Sequence, residues 1–216
     1  MEEGQLIDSD IRKARTLPSS WYSNEEIFNS LISRFSSEWH FAGHSSDLGE
    51  YNAIPLPHIE GQTKEPMLFT KTENGLNCVS NVCTHRGMVI QSDPCMNRLL
   101  KCPYHGRTFD LNGTFKNMPA FEEVEDFPSS TDNLKQFPTG EWGGLVFTGV
   151  EPRKNFEEWI QPIRDRMEWW SDKKNMKRDT TRDRDWIIDT NWALYVDNYL
   201  EGFHIPFVHS LSLIHI

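Results

Sequence analysis

The stretch CTHRGMVIQSDPCMNRLLKCPYHG, residues 83–106, contains two short segments that each pair a cysteine with a histidine. Cys83 and His85 form the first pair, Cys102 and His105 form the second, and sixteen positions separate His85 from Cys102. A glycine follows each pair and frees the backbone to turn where a Cβ would obstruct it. The chain therefore presents two tight loops, each with one sulfur and one nitrogen donor.

A [2Fe–2S] cluster can use this donor set, because one iron takes two thiolates and the other takes two neutral imidazoles. The loops must then meet across a sheet, so that both pairs reach the same cluster. Zinc is the main alternative, although zinc fingers place cysteine beside cysteine and histidine beside histidine. A zinc-stabilised interaction module would be colourless. We predict that Cys83, His85, Cys102 and His105 bind a [2Fe–2S] cluster.

The two loops resemble those of the Rieske protein family, over roughly residues 37–150. Rieske proteins of respiratory complexes carry two further cysteines that cross-link the loops, together with a Ser and a Tyr that donate hydrogen bonds to the cluster. Met88 and Tyr104 occupy the cysteine positions here. Arg107 and Phe109 occupy the donor positions, and a Phe side chain donates nothing. The resemblance implies a low reduction potential. Without these hydrogen-bond donors, the reduced form of the cluster is less stabilised.

A second group of candidate metal ligands lies near the end of the chain: Glu201, His204 and His209. Histidines five positions apart do not share a helix face, so two unrelated histidines are the simple alternative. Gly202 and Pro206 disfavour a continuous helix, however, and would let both imidazoles converge from a turn. Mononuclear Fe(II) that activates O₂ uses two histidines and one carboxylate on one face.

Residues 191–209 resemble the iron-binding motif of Rieske non-haem iron oxygenases, the α subunits of ring-hydroxylating oxygenases. The resemblance implies that His204 and His209 bind mononuclear Fe(II). It also implies that Glu201 is a bridging carboxylate, hydrogen-bonded to a cluster-ligand histidine of a neighbouring subunit in a homotrimer. The expected partners are O₂, a small-molecule substrate, and a reductase or ferredoxin that draws its electrons from NAD(P)H.

The substrate class is indicated by two stretches, residues 17–22 and 199–209, which are similar to choline monooxygenases and other quaternary-ammonium oxygenases. An aromatic ring-hydroxylating dioxygenase α subunit is one alternative. A Rieske ferredoxin-type electron carrier is another, and it would have no need for His204 and His209.

The pattern of the whole chain predicts an α+β fold in three parts. Residues 1–36 form a polar arm and a helix over 24–36. Residues 37–150 alternate short β-rich runs with Gly, Pro and Asn clusters, which predicts an antiparallel β Rieske domain with a hairpin turn at Asn112-Gly113. Residues 151–216 begin an α+β catalytic domain, with an apolar helical stripe over 156–170, a strand at 186–188 and a last helix capped by Thr190.

Composition sets further limits on function. The chain has 216 residues, a formal net charge of −10 and eight Trp. The negative charge argues against a nucleic-acid surface, and no run approaches the ~18 apolar residues of a membrane span. The first residues lack the apolar stretch of a secretory signal, so a cytoplasmic location is expected.

The resemblance also implies that the catalytic domain is incomplete. The family's third iron ligand is an Asp or Glu far downstream, whereas seven residues follow His209 here. We therefore expect a C-terminally truncated oxygenase that is inactive by itself. Residues 211–216 resemble read-through at the end of a gene fragment, so we predict no role for His215.

Overall fold

The structure, a computed structural model, describes residues 7–170 and 177–209. The ending at 211–216 that the sequence marked as non-native lies outside these residues. The chain divides into two compact units, Ile32–Arg182 and Met1–Leu31 together with Asp183–Ile216. No helix of the described residues is long and apolar enough to cross a membrane.

Short strands occupy the middle of the described chain, and helices lie mostly towards its two ends. The helices are α1 (Ser20–Ser23), α2 (Glu25–Phe35), α3 (Pro57–Thr63), α4 (Phe156–Arg166), α5 (Trp192–Tyr199) and α6 (Ile205–Val208). The strands are β1 (His40–His44), β2 (Ala53–Pro55), β3 (Met67–Thr72), β4 (Gly75–Ser80), β5 (Leu99–Lys101), β6 (Thr108–Asp110), β7 (Phe115–Asn117), β8 (Gln136–Phe137), β9 (Thr139–Trp142) and β10 (Leu145–Thr148). The predicted α+β class is confirmed.

The strands of the larger unit form three antiparallel sheets, with strand orders β1-β10-β9, β2-β3-β4-β8 and β5-β6-β7. The hairpin predicted at Asn112-Gly113 is confirmed as the turn between β6 and β7. Asp110 Oδ1 accepts the N–H groups of Asn112 and Thr114 at 3.0 and 2.9 Å, which closes that turn.

The four-stranded sheet is buried on both faces. Successive strand residues point to opposite sides, so Phe69 enters one apolar cluster and Leu68 enters the other. The second cluster also contains Cys83 and Cys102. The two candidate sulfur ligands therefore lie within this second apolar cluster, in a position fixed by the packing around them.

Helix α4 packs on the three-stranded sheet β1-β10-β9. Phe156 and Ile160 are buried there, and the ring of Phe156 lies 5.2 Å from that of Trp39. Asn155 caps the helix by accepting the N–H of Glu158 at 3.0 Å. This packing groups α4 with the β strands, although the sequence-based division put a boundary between residues 150 and 151. The three-part division stays a prediction.

The smaller unit contains α1, α5 and α6. Asn191, and not the predicted Thr190, caps α5, since its side chain accepts the N–H of Ala193 at 2.9 Å. Tyr22 ties the two parts of this unit together: its hydroxyl donates to Asp197 at 2.7 Å and its carbonyl accepts from Asn191 at 2.9 Å. The strand predicted at 186–188 is wrong, because those residues lie in no strand.

Candidate metal centre

Two loops with the same pattern of hydrogen bonds carry the predicted cluster ligands. In the first loop, the N–H of Cys83 donates to the carbonyl of Met88 at 2.8 Å, and the N–H of Gly87 donates back to Cys83 at 2.9 Å. The same two bonds form around Cys102 in the second loop, at 2.8 and 3.0 Å. Gly87 and Gly106 have φ angles of +68° and +75°, which other residues adopt only at a cost.

Paired backbone holds the base of each loop. The first loop is closed by a bridge between Val82 and Val89, directly after β4. The second loop joins β5 to β6, and the pairing of Lys101 with Thr108 closes it. Because antiparallel pairing fixes the residues that flank each loop, the two loops have little conformational freedom.

The structure places the four predicted ligands as two pairs, one of thiols and one of imidazoles. Cys83 and Cys102 are buried in the same apolar cluster, and the Cys102 thiol is near enough to add to the rise that burial causes in the pKa of Cys83. The ring centroids of His85 and His105 lie 4.8 Å apart, with 64° between the ring planes. His105 is exposed and His85 is half-buried, so the sulfur pair lies inside and the nitrogen pair lies towards the surface.

These two pairs match the donor set of a Rieske-type [2Fe–2S] cluster. Among residues 7–170 and 177–209, no group of three or more His, Cys, Asp or Glu side chains could hold a single metal ion. A Rieske-type cluster needs only two protein donors on each iron, and the thiol pair and the imidazole pair supply them.

The local electrostatics also suit metal binding. Burial and, next, the neighbouring His105 and Arg86 lower the pKa of His85, which favours the neutral imidazole that binds metals. Burial raises the pKa of the Cys83 thiol, whereas the backbone N–H groups of His85 and Arg86 lower it. The same N–H groups would stabilise a thiolate once iron replaced the proton.

The other residues that the sequence singled out lie in or next to the two loops. Met88 and Tyr104 are exposed, and the Tyr104 ring lies 3.8 Å from that of His105. No cysteine of the described residues forms a disulfide. Phe109 is fully buried and offers no hydrogen bond through its side chain.

The structure also reveals a buried ion pair beside the loops that sequence reasoning missed. Arg107, directly after the second loop, is paired with Asp132. The sequence drew attention to Arg107, but it gave no signal for a partner so far along the chain.

The second predicted site flanks α6, directly after the break between α5 and α6 that the sequence predicted. His204 precedes α6 and His209 follows it, and their ring centroids lie 5.2 Å apart. The carboxylate of Glu201 is hydrogen-bonded to His204 Nδ1 and to the N–H of Phe203. The contact with His204 is the main cause of a lowered pKa of Glu201. It also leaves Nε2 as the ring nitrogen that can bind a metal.

Comparison with known proteins finds a family match in the middle of the chain. Residues 38–128 match the family described as the Rieske [2Fe-2S] domain. These residues include both ligand loops, and the match agrees with the antiparallel β domain of the structure.

Curated relatives cover almost the whole chain. The chloroplastic choline monooxygenase of Arabidopsis thaliana is 26% identical over 93% of this chain and 50% of its own length. The carnitine monooxygenase oxygenase subunit of Escherichia coli K12 is 28% identical over 92% of this chain and 53% of its own length. The chain thus spans about half the length of the curated relatives that it matches.

The fold also matches solved oxygenases. Naphthalene 1,2-dioxygenase from Rhodococcus sp. superimposes with a TM-score of 0.74, at 22% identity, over 93% of this chain and 47% of that one. At this identity the likeness concerns the fold alone.

Proposed function

We propose that this chain belongs to the Rieske oxygenase family and supplies the electron-transfer and iron-binding parts of an oxygenase α subunit. In such a subunit, a [2Fe–2S] cluster passes electrons to a mononuclear Fe(II) that activates O₂ for hydroxylation. One observation carries the proposal: a buried pair of thiols and a surface pair of imidazoles meet on two matching loops.

The residues of each site have distinct tasks in this proposal. Cys83 and Cys102 would bind one iron of the cluster, and His85 and His105 would bind the other. Surface imidazoles place the electron entry and exit point within reach of other proteins. NAD(P)H would supply the electrons through a separate reductase or ferredoxin.

At the second site, His204 and His209 bind the mononuclear iron, and Glu201 sets the orientation of the His204 ring. Glu201 is also the residue proposed to reach a cluster-ligand histidine of a neighbouring subunit in a homotrimer. Its contact with His204 within one chain supports the positioning task and is compatible with the second one, because a carboxylate has two oxygens and about four acceptor sites.

A quaternary-ammonium compound is the substrate class that we favour. The similar curated oxygenases are named for choline and carnitine, and aromatic side chains can hold a trimethylammonium group by cation–π attraction. An aromatic ring substrate is the second candidate, based on the fold shared with naphthalene dioxygenase. The curated relatives favour the first, since they are also the more similar in sequence.

A single-turnover experiment on the full-length protein tests the proposal. The protein is reduced without a reductase, mixed with O₂ and one of choline, carnitine or naphthalene, and analysed for hydroxylated product. We expect product from a quaternary-ammonium compound and none from naphthalene. His204→Ala should abolish product and leave the cluster spectrum unchanged. Cluster oxidation without product from any substrate, in wild type and variant alike, would identify an electron carrier instead.

A further inference from the structure

One residue outside the ligand loops, Asp132, is hydrogen-bonded to the first loop and to Arg107, the residue that directly follows the second loop. Its backbone carbonyl accepts a hydrogen bond of 2.8 Å from Thr84 Oγ1, which lies between the two ligands of the first loop. Its carboxylate forms an ion pair with Arg107, whose own carbonyl accepts the N–H of Cys102 in the second loop. A single residue therefore spans the two loops that carry the ligands.

The connection to the second loop is rigid because Arg107 has little freedom. Its side chain is 4% exposed, and its guanidinium lies 5.8 Å from the ring centroid of Phe109, 4.9 Å from that of Phe115 and 5.5 Å from that of Phe127. A buried charge is costly unless it is paired. The rings fix the position of the cation, and Asp132 supplies the counter-charge.

Asp132 is itself held in place. It ends a short turn in which its carboxylate accepts the N–H and the hydroxyl of Ser129 at 2.7 and 3.0 Å. The next residue, Asn133, accepts the N–H of Phe115 in β7 at 2.8 Å. The segment is thus attached to the same sheet that carries the second loop. Asp132 can therefore hold the first loop at a fixed distance from the second.

We propose that Asp132 is a positioning residue for the cluster: through Arg107 and Thr84 it holds the two ligand loops at the spacing that the four ligands need. The inference rests on the cluster assignment of the proposed function, but not on the oxygenase reaction. A mobile pair of loops would bind the cluster less tightly and in more than one geometry, because residues behind the ligands orient them.

Three single variants separate this task from general stabilisation. Asp132→Asn keeps the shape and removes the counter-charge of Arg107. Thr84→Val removes only the hydroxyl of an exposed residue. Asp110→Asn is the matched control: its carboxylate pairs with Lys116 at 2.9 Å and is 23% exposed, against 19% for Asp132, but its bonds lie within the β6–β7 turn.

The measurements are iron release to a chelator under anaerobic conditions, the line width of the electron paramagnetic resonance (EPR) signal of the reduced protein, and the melting temperature. We expect Asp132→Asn to release iron about ten-fold faster or more, and Thr84→Val about two- to ten-fold faster. Both should broaden the signal, and Thr84→Val should leave the melting temperature unchanged. In the double variant of Asp132 and Thr84, the rate of iron release should rise by less than the product of the two single fold-changes. Both changes break the same connection between the loops, so their effects should not multiply.

Equal acceleration by Asp132→Asn and Asp110→Asn would overturn the inference, as would wild-type release and line width in Thr84→Val. A wild-type protein that contains no iron or sulfide would instead refute the cluster assignment, and this inference with it. The two failures are therefore distinguishable.

Discussion

Gly87 provides a direct test of the loop geometry, since its cost of substitution can be worked out from the structure. It has a φ of +68°, and a Cβ built on it would have no neighbouring atom within 4 Å. The penalty of Gly87→Ala is therefore conformational and not steric, and a left-handed conformation costs about 1–2 kcal/mol. In a domain of this size about 1 kcal/mol corresponds to ~2–4 °C, so we expect the melting temperature to fall by about 2–8 °C.

Two further variants make the prediction specific. Gly87→Asn should cost less than Gly87→Ala, because Asn tolerates the left-handed region better although it is larger. Gly61 in α3 also has no atom within 4 Å of a built Cβ, but its φ is not positive. Gly61→Ala should therefore raise stability by about 0.5–1 kcal/mol, because glycine weakens a helix interior.

Differential scanning calorimetry of the cluster-loaded proteins at one scan rate measures these changes. The expected order of melting temperature is Gly61→Ala, wild type, Gly87→Asn and Gly87→Ala, from high to low. If Gly87→Ala were neutral, or if Asn cost more than Ala at this position, the loop would not have the left-handed turn described above.

Three other predictions concern the packing, the remaining cysteines and the potential. Ile160→Ala in α4 should cost about 2–5 kcal/mol, because the side chain is fully buried, whereas Ile163→Ala in the same helix should cost less than about 1 kcal/mol; equal losses in urea unfolding would refute the packing of α4. Burial raises the pKa of Cys78 to about 11, so alkylation of the cluster-loaded protein near about pH 8 should label the half-buried Cys95 and spare Cys78. Labelling of Cys78 should rise as the pH approaches that pKa. Mass spectrometry of tryptic peptides measures the labelling, and a labelled Cys78 near about pH 8 would contradict the prediction. Because Phe109 offers no donor, the cluster should have a midpoint potential near about −150 mV and not about +300 mV, and a potentiometric titration with a midpoint above zero would contradict this.

The parts of the fold that could be predicted from the sequence are those that depend on neighbouring residues. The turn at Asn112-Gly113 forms because Asp110 accepts two N–H groups within four positions. The break between α5 and α6 follows from Gly202 and Pro206 in the same way. The ligand loops could be predicted because each contains its own cysteine, histidine and glycine.

The features that could not be predicted depend on distant partners. A run such as 186–188 becomes a strand only when another strand pairs with it, and no strand of the described residues does so. The counter-charge of Arg107 is Asp132, which lies 25 positions further along the chain. No local pattern specifies either relationship. The packing of α4 on the β sheets likewise depends on Trp39, which contacts Phe156 but lies far from it along the sequence.

EPR spectroscopy of the reduced protein, together with its iron and acid-labile sulfide content, tests the central claim most directly. We predict about two irons and two sulfides in the cluster of each chain, and an average g value below that of an all-cysteine cluster, since two imidazoles donate less charge than two thiolates. His105→Cys should move the average g value towards that of the all-cysteine type. A colourless protein that contains zinc after anaerobic reconstitution, or a signal of the all-cysteine type in the unchanged chain, would contradict the assignment of Cys83, His85, Cys102 and His105 as the cluster ligands.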